Sequence, residues 1–192
     1  MSLRNAILAL LAVEPMTGYD LLKHFEASVG HVWHAPDSQI YPALRAMEHD
    51  GLLEGEDVTW GQRGTKRRYT ITEAGRTAFR QWMDTPLDYP RDRDPVHLKA
   101  AYLEWATPDA ARAQLRAHIA HYEERLAQWR EKIREIETGG STMLQKRLAT
   151  VPPEEHRRTI AFKRYTYEGM IARADAEIAW ARRGLALLDE VE

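Results

Sequence analysis

Ser38, Gln39, Tyr41 and Arg45 place a hydroxyl, a carboxamide, a phenol and a guanidinium in one short stretch. Such groups can hydrogen-bond along a polar groove. A little further on stand Arg63, Lys66, Arg67 and Arg68, and the segment from Gly61 to Thr72 contains no acidic residue. Hydrogen-bonding side chains next to concentrated positive charge suit a ligand that offers base edges and phosphates together, a nucleic-acid duplex. Arg45, Gln39 and Ser38 are the candidates for base edges; the basic residues of 63–68, expected at a loop tip, are the candidates for the phosphate backbone.

Groups of this kind need a scaffold that turns them outward. Ile40, Leu44 and Met47 recur at helical spacing and face a core, which leaves the polar set on the opposite side. Val58 and Trp60 lead into Gly61 and Gly64, and Tyr69 and Ile71 alternate with polar residues as hairpin strands do. Upstream, Leu3, Ile7, Leu10 and Leu11 share a helical face, which reads better as a folded helix than as a signal peptide. Thr17 with Asp20 resembles a capping box that opens a second helix, with Leu22, Phe25 and Val29 on one face. Pro42 is expected near the first turn of the third helix, where proline is tolerated. Gly51 ends that helix, and Thr72 caps a fourth helix carrying Ala78, Phe79, Trp82 and Met83. Helix, helix, helix, hairpin, helix is the order of a winged helix-turn-helix.

The second half has a different grammar. DTPLDYPRDRD, rich in proline and charge, marks a boundary. The expected division is a DNA-binding domain over 1–86, a linker over 87–94 and a helical dimerisation domain over 95–192. After a short helix from about Val96 to Trp105, Thr107 and Pro108 start a long one. Its apolar positions Leu115, Ile119, Tyr122, Leu126, Trp129, Ile133 and Ile136 alternate spacings of four and three, the rhythm of a coiled-coil seam. A second long helix, from about Glu154 to Leu188, repeats it through Ile160, Tyr167, Ile171, Ala174, Ile178, Ala181, Leu185 and Leu188, with Arg164 as the polar break. Helices of this kind must pack on each other, on a second copy, or on both. The fold class is therefore mainly α, a winged helix followed by a coiled-coil-like dimerisation domain.

The chain has 192 residues, a formal net charge of -2 and no cysteine. Nucleic-acid binding has to come from local patches. Thiol nucleophiles, disulfides and cysteine zinc sites are closed. No phosphate loop, dinucleotide fingerprint, nucleophile elbow or recognisable carboxylate pair is present, so no enzyme and no cofactor is expected. No segment reaches membrane-spanning length, and the expected location is the cytoplasm. His31 with His34, and His118 with His121, could each lend two imidazoles to a metal, but neither pair brings further ligands. Six tryptophans could wall an aromatic ligand cavity between the halves, although most are read as packing residues. The rival class is an interaction adaptor that uses the same elements without DNA.

TGYDLL, then VWHAPDSQIYPALRAMEHDGLL, then GTKRRYTITEAGR resemble, in order, the helix 2, recognition-helix and wing signatures of the PadR family of transcription regulators, in its longer form. Trp180, late in the last helix, fits the same resemblance. It implies a homodimeric winged-helix protein, usually a repressor, on an inverted-repeat operator of double-stranded DNA, with small-molecule effectors that include phenolic acids. The positions it carries over are Ser38, Gln39, Tyr41, Pro42 and Arg45 in the helix and Arg63, Lys66, Arg67 and Arg68 in the wing. His49 and Asp50 depart from the basic or neutral residues common before that glycine.

Overall fold

The computed structural model describes residues 3–25, 37–60, 64–89 and 93–191. The chain divides into two compact units, residues 1–88 and 89–192.

In the N-terminal unit, α1 (Leu3–Leu11), α2 (Gly18–His24), α3 (Asp37–His49) and α4 (Glu73–Asp84) surround a sheet of β1 (Met16–Thr17), β2 (Leu53–Trp60) and β3 (Gly64–Ile71), in the spatial order β1, β3, β2. All pairings are antiparallel. Ile7, Leu8 and Leu11 of α1, Leu21 of α2 and Ile40, Leu44 and Met47 of α3 form the core with Tyr69 and Ile71 of β3, each at most 5% exposed. The expected α3 face is thus the buried one. In α2 the buried face is Leu21 and Phe25, one position away from Leu22; Val29 lies outside the described residues. Met83 of α4 is 62% exposed, while Phe79 and Trp82 stack with ring centroids 5.9 Å apart.

Local chemistry sets the ends of α3. Pro42 lies inside the helix, beyond the first turn, where it withholds one backbone donor from the ladder. At the other end Gly51 adopts φ 71°, and its N–H and that of Leu52 donate to Glu48 O and Met47 O at 3.0 and 2.9 Å. This closes a Schellman motif that only a residue at ease in left-handed backbone supports, and it turns the chain directly into β2.

In the C-terminal unit, α5 (Pro95–Ala100) and a 3-10 turn (Leu103–Trp105) replace the single short helix expected there. Asp94 caps α5 by accepting from the backbone N–H groups of Val96 and His97, and the His97 N–H leads the contacts that hold its carboxyl below the usual aspartate range. α6 (Pro108–Glu137), α7 (Thr142–Ala149) and α8 (Pro153–Val191) follow. Ion pairs join Arg112 to Asp189, Glu123 to Arg182, Arg130 to Asp175 and Glu137 to Arg164. Position numbers rise along α6 as they fall along α8, so the helices lie antiparallel within one chain. Leu126, Trp129 and Ile136 meet Tyr167, Ala174 and Ile178 in the core, closed at one end by Leu144 and Leu148 of α7. Burial, aided by the Glu135 carboxylate, pushes the Tyr167 phenol up to about 12. Arg164, the polar break in the seam, is exposed and bonds Glu168 at 2.6 Å.

Candidate nucleic-acid interface

With Ile40, Leu44 and Met47 drawn into the core, the α3 helix exposes Ser38, Gln39, Tyr41, Pro42 and Arg45. None of these side chains has an ion pair or hydrogen bond with another described residue. Tyr41, 43% exposed, rests its ring on the backbone of Gly18: a Cβ at that position would stand 2.5 Å from Tyr41 Cε1. The phenol is therefore seated by α2, and the seat exists because residue 18 has no side chain.

The hairpin differs from expectation. Lys66, Arg67 and Arg68 lie within β3 rather than at a loop tip, and Arg63 lies outside the described residues. The register sets Val58, Asp57 and Glu56 of β2 opposite Lys66, Arg67 and Arg68. Arg68 Nε donates to Glu56 Oε1 at 2.8 Å. Arg67 Nη1 donates to Asp57 Oδ1 at 3.0 Å, and its Nε and Nη2 reach the Glu48 carboxylate, with Nε at 3.1 Å from Oε2. Hydrogen bonds from Arg67 hold the Glu48 carboxyl below its usual range, and the two carboxylates raise the Arg67 guanidinium. Lys66 has no acidic partner opposite and turns to aromatic faces: Nζ lies 3.2 Å from the Trp60 centroid and 4.6 Å from that of Tyr19. Trp60 and Tyr19 are 56% and 57% exposed.

Gly18, Tyr19, Glu48, Glu56, Asp57 and Trp60 are thus the parts of this face that the sequence reading passed over. The segment from Gly61 to Thr72 indeed lacks acids, but its neighbour in space is β2, which supplies them. Alternation along LEGEDVTW is the signal that pairs Glu56 with Arg68 and Asp57 with Arg67 once the turn is located.

The C-terminal unit carries a separate feature. Beneath α5 and the 3-10 turn runs a cavity of about 1000 Å³ lined by Leu103, Pro108, Ala111, Leu115, Trp180 and Leu187 among others. At its side His97 and His118 approach the Trp180 ring at 4.5 and 5.4 Å between centroids. His118 stands 3.2 Å from Glu177, and His97 Nδ1 2.7 Å from Asp94 Oδ2. His121 meets only the edge of Tyr122 in the ring contacts. Among the described residues no three histidine or acidic side chains converge as a metal site; His31 and His34 lie outside them. No described helix is long and apolar enough to cross a membrane.

Three helices before a hairpin, with a polar recognition face on the third, define a winged helix-turn-helix, and a helical hairpin follows it. The sequence pattern of the transcriptional regulator PadR-like family matches residues 7–81, and that of the virulence activator alpha C-terminal region matches residues 93–189. The chain belongs to the PadR-like family, in the form with a C-terminal helical domain. It is 31% identical over 102 residues to the negative transcriptional regulator PadR of Bacillus subtilis, an alignment covering 53% of this chain and 56% of that protein. The chain spans about half the length of the curated relatives it matches. Crystal structures of the Bacillus protein with operator DNA and with p-coumaric acid superpose with TM-scores of 0.74 and 0.73, at 21% and 22% identity, covering 97% of this chain and 98% of theirs. The Vibrio cholerae virulence activator AphA superposes with a TM-score of 0.71 at 28% identity over 100% of both chains.

Proposed function

We propose that the protein is a cytoplasmic, homodimeric regulator, a repressor that binds double-stranded operator DNA and is released by a small aromatic effector. The observation that carries this reading is the outward face of α3, where Ser38, Gln39, Tyr41, Pro42 and Arg45 stand exposed beside the hairpin. Arg45 and Gln39 have the donors for bidentate reading of guanine and adenine edges. Lys66 and Arg63 would meet phosphate, and Arg67 and Arg68 would join them with the donors that Glu48, Asp57 and Glu56 leave free. A two-fold dimer spaces its half-sites about one helical turn, ~34 Å, apart, which calls for an inverted repeat.

Exposed apolar side chains on the C-terminal unit support the dimer. Leu98, Tyr102, Trp105, Phe162 and Tyr165 are each at least 60% exposed, apolar side chains that a second copy packed on this unit would take out of water. The cavity beside Trp180 is the candidate place for the effector, and p-coumaric acid, bound by the Bacillus relative, is the first compound to try.

The test is a titration of a labelled duplex from the region upstream of the protein's own gene, over a series of salt concentrations. Tight binding with a steep negative slope of log K against log salt supports the reading. Absence of salt-dependent binding overturns it in favour of the protein-binding adaptor. Addition of p-coumaric acid then asks whether the complex dissociates.

A further inference from the structure

The start of α2 touches both of the elements proposed to meet DNA. Thr17 and Asp20 close a capping box there: Thr17 Oγ1 accepts from the Asp20 N–H at 3.2 Å, and the Asp20 carboxylate takes the Thr17 N–H and hydroxyl at 3.3 and 2.7 Å. Thr17 also belongs to β1 and lies opposite Arg68 of β3. This turn is therefore pinned to the hairpin by backbone pairing and closed on itself by side chains. The next two residues point in useful directions. Gly18 is the seat of Tyr41, and Tyr19 is one of the two rings against Lys66, Trp60 being the other.

We propose that the Gly18–Tyr19 step, with Trp60, is a positioning device that sets Tyr41 of the recognition helix and the Lys66 ammonium of the wing at fixed places for one DNA half-site. The inference rests on the DNA-binding reading and deepens it. A lysine on a strand facing solvent samples many rotamers, and holding it on a phosphate costs that freedom. Here two aromatic faces hold the ammonium before DNA arrives, while the Lys66 side chain remains partly exposed. The neighbouring cations are held by carboxylates, which neutralise them. Lys66 is held by rings, which keep its charge whole. Both Tyr19 and Trp60 remain more than half exposed, so little of their surface is spent on the core.

The test is a double-mutant cycle on the full chain, read as the slope of log K against log salt for the upstream duplex. Lys66→Met removes one phosphate contact and flattens the slope by about 0.9. Trp60→Ala keeps the charge of Lys66 but frees it; the expected result is a loss of slope and affinity comparable to Lys66→Met, with no further loss in the double variant. Tyr19→Ala behaves in the same direction with a smaller loss, and Trp60→Phe and Tyr19→Phe restore the wild-type slope. Gly18→Ala displaces the uncharged Tyr41, so it weakens binding with the slope unchanged. Thermal unfolding of each variant shows which are folded; should Trp60→Ala not fold, the Tyr19→Ala cycle with Lys66→Met decides. Additive losses, or a wild-type slope in the folded ring variants, overturn the positioning role while leaving DNA binding intact, as a weakened Arg45→Ala variant would show. No salt-dependent binding by the wild type overturns both.

Discussion

The recognition helix and the wing meet the same proposed ligand with opposite preparations. On α3 the polar side chains Ser38, Gln39, Tyr41 and Arg45 are exposed and make no hydrogen bond or ion pair with another described residue. On the hairpin every described cation is occupied: Arg67 by Glu48 and Asp57, Arg68 by Glu56, Lys66 by Trp60 and Tyr19. Base reading requires donors that have no other partner to leave, because each good bidentate pair contributes only ~1–3 kcal/mol of discrimination. Phosphate contact is less demanding in geometry, and cations that are tethered in advance lose less freedom on binding. Pairing with carboxylates also lowers the net charge of the wing, and a lower charge weakens sequence-independent attraction to a duplex. Exposed ion pairs of this kind add little to stability, so their place in the fold is better explained by what they do to the charge and orientation of the hairpin.

The largest effect comes from a change that removes the contrast by unfolding both elements. Leu44 is fully buried behind the exposed α3 face, and Leu44→Ala should lower stability by ~2–5 kcal/mol through lost transfer energy and a cavity; chemical denaturation read by helical circular dichroism measures it. Loss of DNA binding should follow only when the N-terminal unit unfolds. Next in size, Arg45→Ala leaves the fold unchanged and should cost ~1–3 kcal/mol of operator affinity while relaxing preference at one base position. Competition between operator and scrambled duplexes checks it; equal losses on both would make Arg45 a phosphate contact and align the helix with the wing. Smaller again, Gly51→Ala forces a side chain into the left-handed region and should cost ~1–2 kcal/mol of stability, seen as a lower Tm. It acts on the turn that hands α3 to the hairpin.

Much of α3 was legible because its signals are local. The spacing of Ile40, Leu44 and Met47 separates an inner from an outer face, and Gly51 marks the end. The capping box at Thr17 and Asp20 is equally local and forms with both of its bonds. What escaped was set by partners distant in the chain. Glu48 and Arg67 are brought together by the packing of α3 on the hairpin, and no periodicity within either element announces it. The absence of acids after Gly61 suggested a bare basic tip, but strand pairing supplies them from β2. The seat of Tyr41 on Gly18 has no sequence signature beyond the glycine. In the C-terminal unit the heptad rhythm named the seam residues of α6 and α8 yet carried no direction; their antiparallel order emerges from the ion pairs that cross between them.

The smallest effect isolates the tether itself. Glu48 has its folded-state pKa lowered from an ordinary value of 4.5, first by hydrogen bonds from Arg67. A carboxyl of this kind contributes stability that is fully present above pH 4.5 and is lost as pH falls through its lower folded value, because only the folded state resists protonation. The Tm of the wild type should therefore fall more steeply below pH 4.5 than that of Glu48→Gln, and the two curves should converge in acid. At neutral pH the same variant leaves Arg67 with Asp57 alone. If carboxylate pairing restrains the wing, Glu48→Gln should bind duplex DNA more tightly at low salt, with a slope steeper by up to about one counterion, and scrambled DNA should gain as much as operator. Weaker binding of both duplexes would instead make Glu48 a support that aims Arg67, and the wing would then differ from the recognition helix in geometry rather than in available charge.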